Sequence, residues 1–179
     1  MENQSPVRLA TLQDIPAIMQ VVADVVPIMR AAGNLQWDDT YPNPRVFEDD
    51  IKAGQLWVAE VEGQIAGVTA ITTDQYSEYA QVGLDTSEEA IVTHRLAVSP
   101  HFRGRGLAAD LLYQAELVAI ERGIPILRID TNTQNHATRQ LFPKMGYSLK
   151  GEITLEFRPG LSFVCFEKRL DQASIQNAD

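Results

Sequence analysis

The chain has 179 residues, 45% apolar and 22% charged, with a formal net charge of −9; this suits one packed domain and excludes a disordered or fibrous chain. With 24 acidic against 15 basic residues, it lacks the basic face that nucleic acid or an acidic membrane surface demands, whereas a cationic small molecule or peptide fits. Its 1 cysteine, Cys165 in the apolar run 161–166, allows no intramolecular disulfide; with no leader pattern and no stretch approaching about 18 apolar residues, a cytoplasmic protein is expected.

In chain order, residues 7–9 read as a short strand. Thr11 and Asp14 form a capping pair before a helix whose Leu12, Ile15, Ile18, Met19, Val22, Val25 and Val26 recur at helical spacing, ended by Gly33-Asn34. An aromatic and acidic connection follows, Trp37-Asp38-Asp39-Thr40-Tyr41-Pro42. A short helix over 44–53 comes next, and its run Glu48-Asp49-Asp50 reads as a solvated face. Residues 56–61 and 64–72 read as a hairpin turned at Glu62-Gly63. The polar stretch 74–89, with Tyr76 and Tyr79, has no period and reads as a long loop, functional or mobile.

A strand over 91–98, a helix over 104–122 with Leu107, Leu111, Ala115 and Val118 down one face, and a strand over 126–131 make a strand-helix-strand unit, parallel by default. A helix over 135–145 and an antiparallel pair, 148–155 with 161–168, complete an α/β chain with a mixed sheet. No repeat or linker divides it, so 1–179 reads as one domain, with 173–179 a disordered tail.

The most informative stretch runs from Leu96 through Pro100, Arg103-Gly104-Arg105-Gly106 and Leu107 to Ala108-Ala109, from a strand through a glycine turn into a helix. Physically this is an anion site: the first amides of a helix have no intrahelical partners and sit at the positive end of its dipole. Gly104 and Gly106 remove side chains so that a diphosphate can approach, and Arg103 and Arg105 add charge. Gly104-x-Gly106-x-x-Ala109 fits the dinucleotide fingerprint, with Asp130 as a ribose-binding acid, which would make the protein a nicotinamide oxidoreductase.

The same residues fit Arg/Gln-x-x-Gly-x-Gly/Ala as Arg103-x-x-Gly106-x-Ala108, and here the sequence resembles the GNAT superfamily of acyl-CoA-dependent N-acetyltransferases. The Leu96-x-Val98-x-Pro100 lead-in, Asn135, Leu141, Lys144, Gly146 and Tyr147 follow at that family's spacing. The resemblance implies a mixed, mostly antiparallel sheet flanked by helices, whose central parallel pair splays around a coenzyme A slot. It also implies acetyl-CoA as co-substrate, no metal, a small-molecule or peptide amine acceptor, and compatibility with a homodimer. The amides of Arg103, Gly104, Arg105, Gly106, Leu107, Ala108 and Ala109 would hold the diphosphate. Leu96, Ala97 and Val98 would pair with the pantetheine arm, Asn135 would touch it from the other side, and an N–H near Val98 would polarise the thioester carbonyl.

An amine acceptor is mostly protonated at neutral pH, so a base is needed near the slot. His94 interrupts an apolar strand and, by alternation, shares a face with Leu96 and Val98. Glu60 on an earlier strand is the second candidate, acting through water. Asp130 could instead pair with Arg128. Phe142 stands where many members have a tyrosine that protonates the leaving thiolate. Its presence suggests either turnover without that acid, a donor such as Tyr147 displaced by Pro143, or a non-catalytic acyl-CoA binding module. Trp37 and Tyr41, with Tyr76, Tyr79, Asp38, Asp39, Asp74 and Glu78, are left for the acceptor.

Overall fold

The computed structural model describes residues 6–177. Seven strands form one sheet in the order β1-β2-β3-β4-β5-β7-β6, with β1 Val7–Leu9, β2 Leu56–Val61, β3 Gln64–Thr72, β4 Ile91–Val98, β5 Ile126–Asn132, β6 Ser148–Thr154 and β7 Ser162–Arg169. All neighbours run antiparallel except β4 and β5. These two are joined by a helix crossover, the connection a parallel pair requires.

The helices are α1 Ile15–Ala31, α2 Pro44–Lys52, α3 Leu107–Arg122, α4 His136–Lys144 and α5 Gln172–Gln176. The short α5 occupies residues expected as a disordered tail; 178 and 179 lie outside the described residues. Asp14 caps the start of the first helical segment by accepting from the Thr11 N–H at 2.8 Å, and Asn43 caps α2 by accepting from Val46. One face of the sheet receives α1 and α2: Ile18, Val22 and Val25 pack with Phe47, Leu56, Val58 and Val68. The other receives α3 and α4, where Leu112, Ala115 and Phe142 meet Ile91, Leu127, Ile129 and Phe166.

The segment Leu12–Ala31 has the length and apolarity of a membrane span, contrary to the expectation that no stretch approaches one. Its Ile18, Val21, Val22 and Val25 are buried against the sheet, so the apolar stripe of α1 belongs to the core.

The stretch 74–89 is a pinned strap rather than a free loop. It holds a turn of 3-10 helix at Ser77–Val82 and lies on the face opposite α3, where Tyr79 and Leu84 pack with Val92, Phe163 and Cys165. Arg128, fully buried, donates to Gln75 Oε1 at 2.6 Å and to the Asp85 carbonyl at 2.9 Å. It also pairs with Glu88 and Glu167. Asp130, two residues on and therefore on the same face, is nonetheless not its partner: the acids of the strap and β7 take Arg128, while Asp130 accepts from the Tyr79 hydroxyl.

Candidate active site

Pairing between β4 and β5 ends at Thr93↔Ile129. Beyond it the strands part and leave a slot. Ser99 donates to the Ala66 carbonyl at 2.7 Å and Val98 stands opposite Gly67, so antiparallel alternation turns the Val98 N–H and C=O away from β3, toward the slot.

At the mouth of the slot the chain enters α3 through Gly104 and Gly106, whose φ angles are +77° and +73°. That is left-handed backbone, the more basic reason for glycine at both positions. A Cβ built on either meets nothing within 4 Å, which leaves room above the amides. A cleft of about 640 Å³ runs along this turn, lined by Leu96, Ala97, Val98, residues 102–109 and Asn135. Every residue that the sequence assigned to the diphosphate and the pantetheine arm is on that wall; Phe142, expected in the coenzyme A site beside the leaving thiolate, is not. The Asn135 carboxamide oxygen caps α4 by accepting from Thr138 at 3.2 Å, fixing its other end relative to the slot.

A smaller cavity of about 60 Å³ adjoins the cleft, and Met29, Leu96, Asn135 and Thr138 line both. Its walls carry His94, Arg95, Asp130, Trp37, Tyr41, Tyr76, Phe142 and Phe157. Trp37 and Tyr41 are thus brought to one place, as expected, whereas Asp38 and Glu78 are occupied elsewhere. Asp38 accepts from Thr40 and Tyr41 within its own loop, and Glu78 accepts from the Glu156 N–H.

His94 reaches this cavity by a route the alternation rule misses. Val68 faces Ala97 but Ala70 faces His94, so Arg95 and Leu96 together oppose Thr69 in a β-bulge, with Arg95 at φ +55°. The extra residue reverses the phase: Leu96 and Val98 pack with Leu107 and Leu111 under α3, while His94 faces the strap. There it sits edge-on to Tyr76 at 5.2 Å, and its Nε2 is 2.8 Å from the Asp74 carbonyl. A carbonyl only accepts, so Nε2 carries the hydrogen and Nδ1 is left as the acceptor. Enclosure pulls the imidazole down to about 4, against the Asp74 hydrogen bond.

Glu60 lines neither cavity. Its carboxylate accepts from Arg8 Nε at 2.8 Å near Asp14, on a strand two places from the slot. Tyr147 is core: its hydroxyl is buried without a hydrogen-bond partner, against Phe142 at 6.1 Å, and it reaches neither cavity. Asp50 is not a solvated acid. Only 4% exposed, it accepts from Arg95 Nε and Nη2, both at 2.8 Å.

Against known proteins, residues 23–147 match the family model described as the acetyltransferase (GNAT) family. The chain belongs to that GNAT family. It is 27% identical over 146 residues to the uncharacterized N-acetyltransferase YesJ of Bacillus subtilis, covering 79% of this chain and 81% of that one. A GNAT-family acetyltransferase from Streptococcus agalactiae superposes with a TM-score of 0.78 at 28% identity, covering 93% and 95% of the two chains. The fold is also that of yncA from Salmonella typhimurium, whose structure holds its cofactor acetyl-CoA; the TM-score is 0.67 at 18% identity, over 93% and 94% of the chains.

The dinucleotide alternative fails on this GNAT frame. Asp130 is on the wall of the smaller cavity, hydrogen-bonded to Tyr79, and not among the residues lining the cleft at the glycine turn. Sequence reasoning missed Arg95 and Phe157 as cavity residues and assigned Asp130 elsewhere. For Asp130 a signal existed: it is the one acid in the apolar strand Ile126–Thr131, placed one residue past the point where the parallel pairing ends.

Proposed function

We propose that the protein transfers the acetyl group of acetyl-CoA to a primary amine by direct attack within a ternary complex. The observation that carries this reading is the shared wall: the cleft along the glycine turn and the aromatic cavity meet at Leu96 and Asn135, where a thioester in the cleft would present its carbonyl to an amine in the cavity. The free amides at the start of α3, with Arg103 and Arg105 beside them, suit a diphosphate, and the slot edge of β4 suits an extended amide-bearing arm. The Val98 N–H, turned to the slot, is placed to stabilise the carbonyl oxygen as it gains charge.

In the reaction the amine nitrogen bonds to the acetyl carbon and the carbon–sulfur bond breaks, with its electron pair going to sulfur. Phe142 on the cavity wall donates no proton. A thiol with a pKa near about 8.5 leaves as thiolate without one, and the proton lost from nitrogen neutralises it through solvent. Cys165, buried behind the strap, has its thiol pushed up to about 12 by burial and offers no thiolate for an acyl-enzyme.

Titration calorimetry with acetyl-CoA and NADH tests this reading. Saturable binding of acetyl-CoA alone is expected, with thiol release once a primary amine is added. Binding without release from any amine would favour a non-catalytic acyl-CoA module, and no binding would end the reading.

A further inference from the structure

An acceptor amine reaches the enzyme as an ammonium, and the cavity wall has one group suited to meet it. We propose that Asp130, held by Tyr79, binds the ammonium of a slender aliphatic primary amine in the smaller cavity and takes its proton. This rests on the acetyl-transfer reading and names the acceptor chemistry of that site.

Asp130 is the first β5 residue past the last parallel pair, so it stands where the slot opens. Its Oδ2 accepts from the Tyr79 hydroxyl at 2.6 Å. Its Oδ1 accepts from none of the described residues, and the side chain is on the cavity wall. The one cation on that wall, Arg95, is spent on Asp50 through two 2.8 Å bonds. Asp130 therefore forms no ion pair with a cation on that wall; the rings of Tyr41 and Phe157 already carry the Arg158 guanidinium, 5.0 and 5.7 Å from their centroids, so the carboxylate is the group left for a ligand ammonium.

Size narrows the class further. A water needs about 10–15 Å³ of such space, so the 60 Å³ of this cavity admits roughly four to six non-hydrogen atoms, which suits a short alkyl arm bearing the amine.

Asp130 is also the better proton acceptor. Burial, with Glu78 of the strap adding repulsion, holds its carboxyl up at about 6 against the opposing Tyr79 hydrogen bond. The other titratable groups facing it are Tyr76 of the strap, Cys165 of β7, and His94 and Arg95 across the slot. It is ionised at neutral pH yet more basic than an ordinary carboxylate, whereas His94 offers only Nδ1 of a weakly basic ring. One N–H of the ammonium passes its proton to Oδ1 and the freed lone pair attacks the thioester carbon; as the carbon–sulfur bond breaks, the nitrogen sheds a second proton, which reaches the departing thiolate through solvent, and Asp130 returns the first to solvent as the amide leaves. His94 is then a positioning residue that ties β4 to the strap.

The test uses CoA-loaded protein and n-butylamine, followed by NMR of the tryptophan indoles, with n-butanol as the neutral isostere. Butylamine is expected to bind the wild type, about tenfold or more weakly to Asp130→Asn, as a lost charge-assisted hydrogen bond implies. Binding to Glu60→Gln, at a residue that lines neither cavity, should be little changed. Binding should fade as pH drops below about 6, and Tyr79→Phe, which keeps the carboxylate but removes the bond that lowers its pKa, should move that midpoint up. With acetyl-CoA, thiol release from butylamine should fall about 10²-fold or more in Asp130→Asn. Equal binding by wild type and Asp130→Asn, no binding by a wild type that holds CoA, or binding without thiol release overturns the assignment. Failure to hold CoA overturns the acetyl-transfer reading beneath it instead.

Discussion

Arg95 carries a φ of +55°, a conformation that costs a residue with a side chain about 1–2 kcal/mol. It is held there from outside its own strand: the guanidinium is clamped by Asp50 on α2, whose second acceptor role is to Gln55 at 3.0 Å. Both side chains are largely buried, at 14% and 6% exposure, so Asp50→Ala leaves a cation enclosed and unpaired. We expect about 3–5 kcal/mol of lost unfolding free energy, read by urea denaturation. The clamp was legible in part: Asp50 lies three residues past Phe47, on the buried face of α2, a phase that separates it from its neighbours Glu48 and Asp49. The bulge it supports was not legible, because an arginine at positive φ has no local signature and only the register with β3 reveals it.

His94 and Asp130 impose opposite pH dependences on stability. His94 is pulled from 6.5 to about 4 in the folded chain, so between those values the unfolded chain binds more protons and stability falls as pH drops. Asp130 is raised from 3.8 to about 6, so in that window the folded chain binds more protons and stability rises as pH drops. The two largely offset each other in the wild type. Chemical denaturation at pH 5 and pH 7.5 should show His94→Gln gaining stability on acidification relative to wild type and Asp130→Asn losing more.

At the scale of elements, the strap and the glycine turn divide the work of building the site. Neither Tyr76 nor Tyr79 would be fixed against β4 and β5 without the anchor beneath them, where Arg128 gathers Gln75, Glu88 and Glu167 with no exposed surface of its own. Arg128→Met removes the cation and leaves Glu167, 6% exposed, with only the half-exposed Arg169 as an ion-pair partner; a cost of about 3 kcal/mol is expected. Amide hydrogen exchange should then quicken across 74–89 before it does in α3. A polar stretch without period says nothing of such anchoring, since its partners lie 40 or more residues away; the isolated Arg128 in an apolar strand was the available hint. The turn into α3 was readable at the residue level because its need for left-handed backbone is local. Gly106→Ala should cost about 1 kcal/mol of stability or more and weaken acetyl-CoA binding measurably by calorimetry, because the displaced amides are the proposed ligands.

Across the whole molecule, the order of elements carried the fold. Hairpin, strand-helix-strand and final antiparallel pair each follow from spacing and turn residues, and their sum is the observed sheet order apart from β7 inserting between β5 and β6. That insertion is a long-range choice: β7 supplies Phe163 and Cys165 to the strap side and Val164 and Phe166 to the α3 side, so it belongs in the interior, while β6 with Leu149 57% exposed suits an edge. Ligand binding should stabilise this assembly as a unit; acetyl-CoA at 100 times its Kd adds about 2.7 kcal/mol, seen as a rise in Tm that NADH does not reproduce.

The cleft and the smaller cavity touch at Met29, Leu96, Asn135 and Thr138 but are otherwise lined by different residues, one set around the glycine turn and the other around the strap and the Trp37–Tyr41 connection. Neither reactant need pass through the space of the other. Initial-rate measurements with both concentrations varied should therefore give double-reciprocal lines that intersect rather than run parallel. Free CoA should inhibit competitively against acetyl-CoA and noncompetitively against the amine.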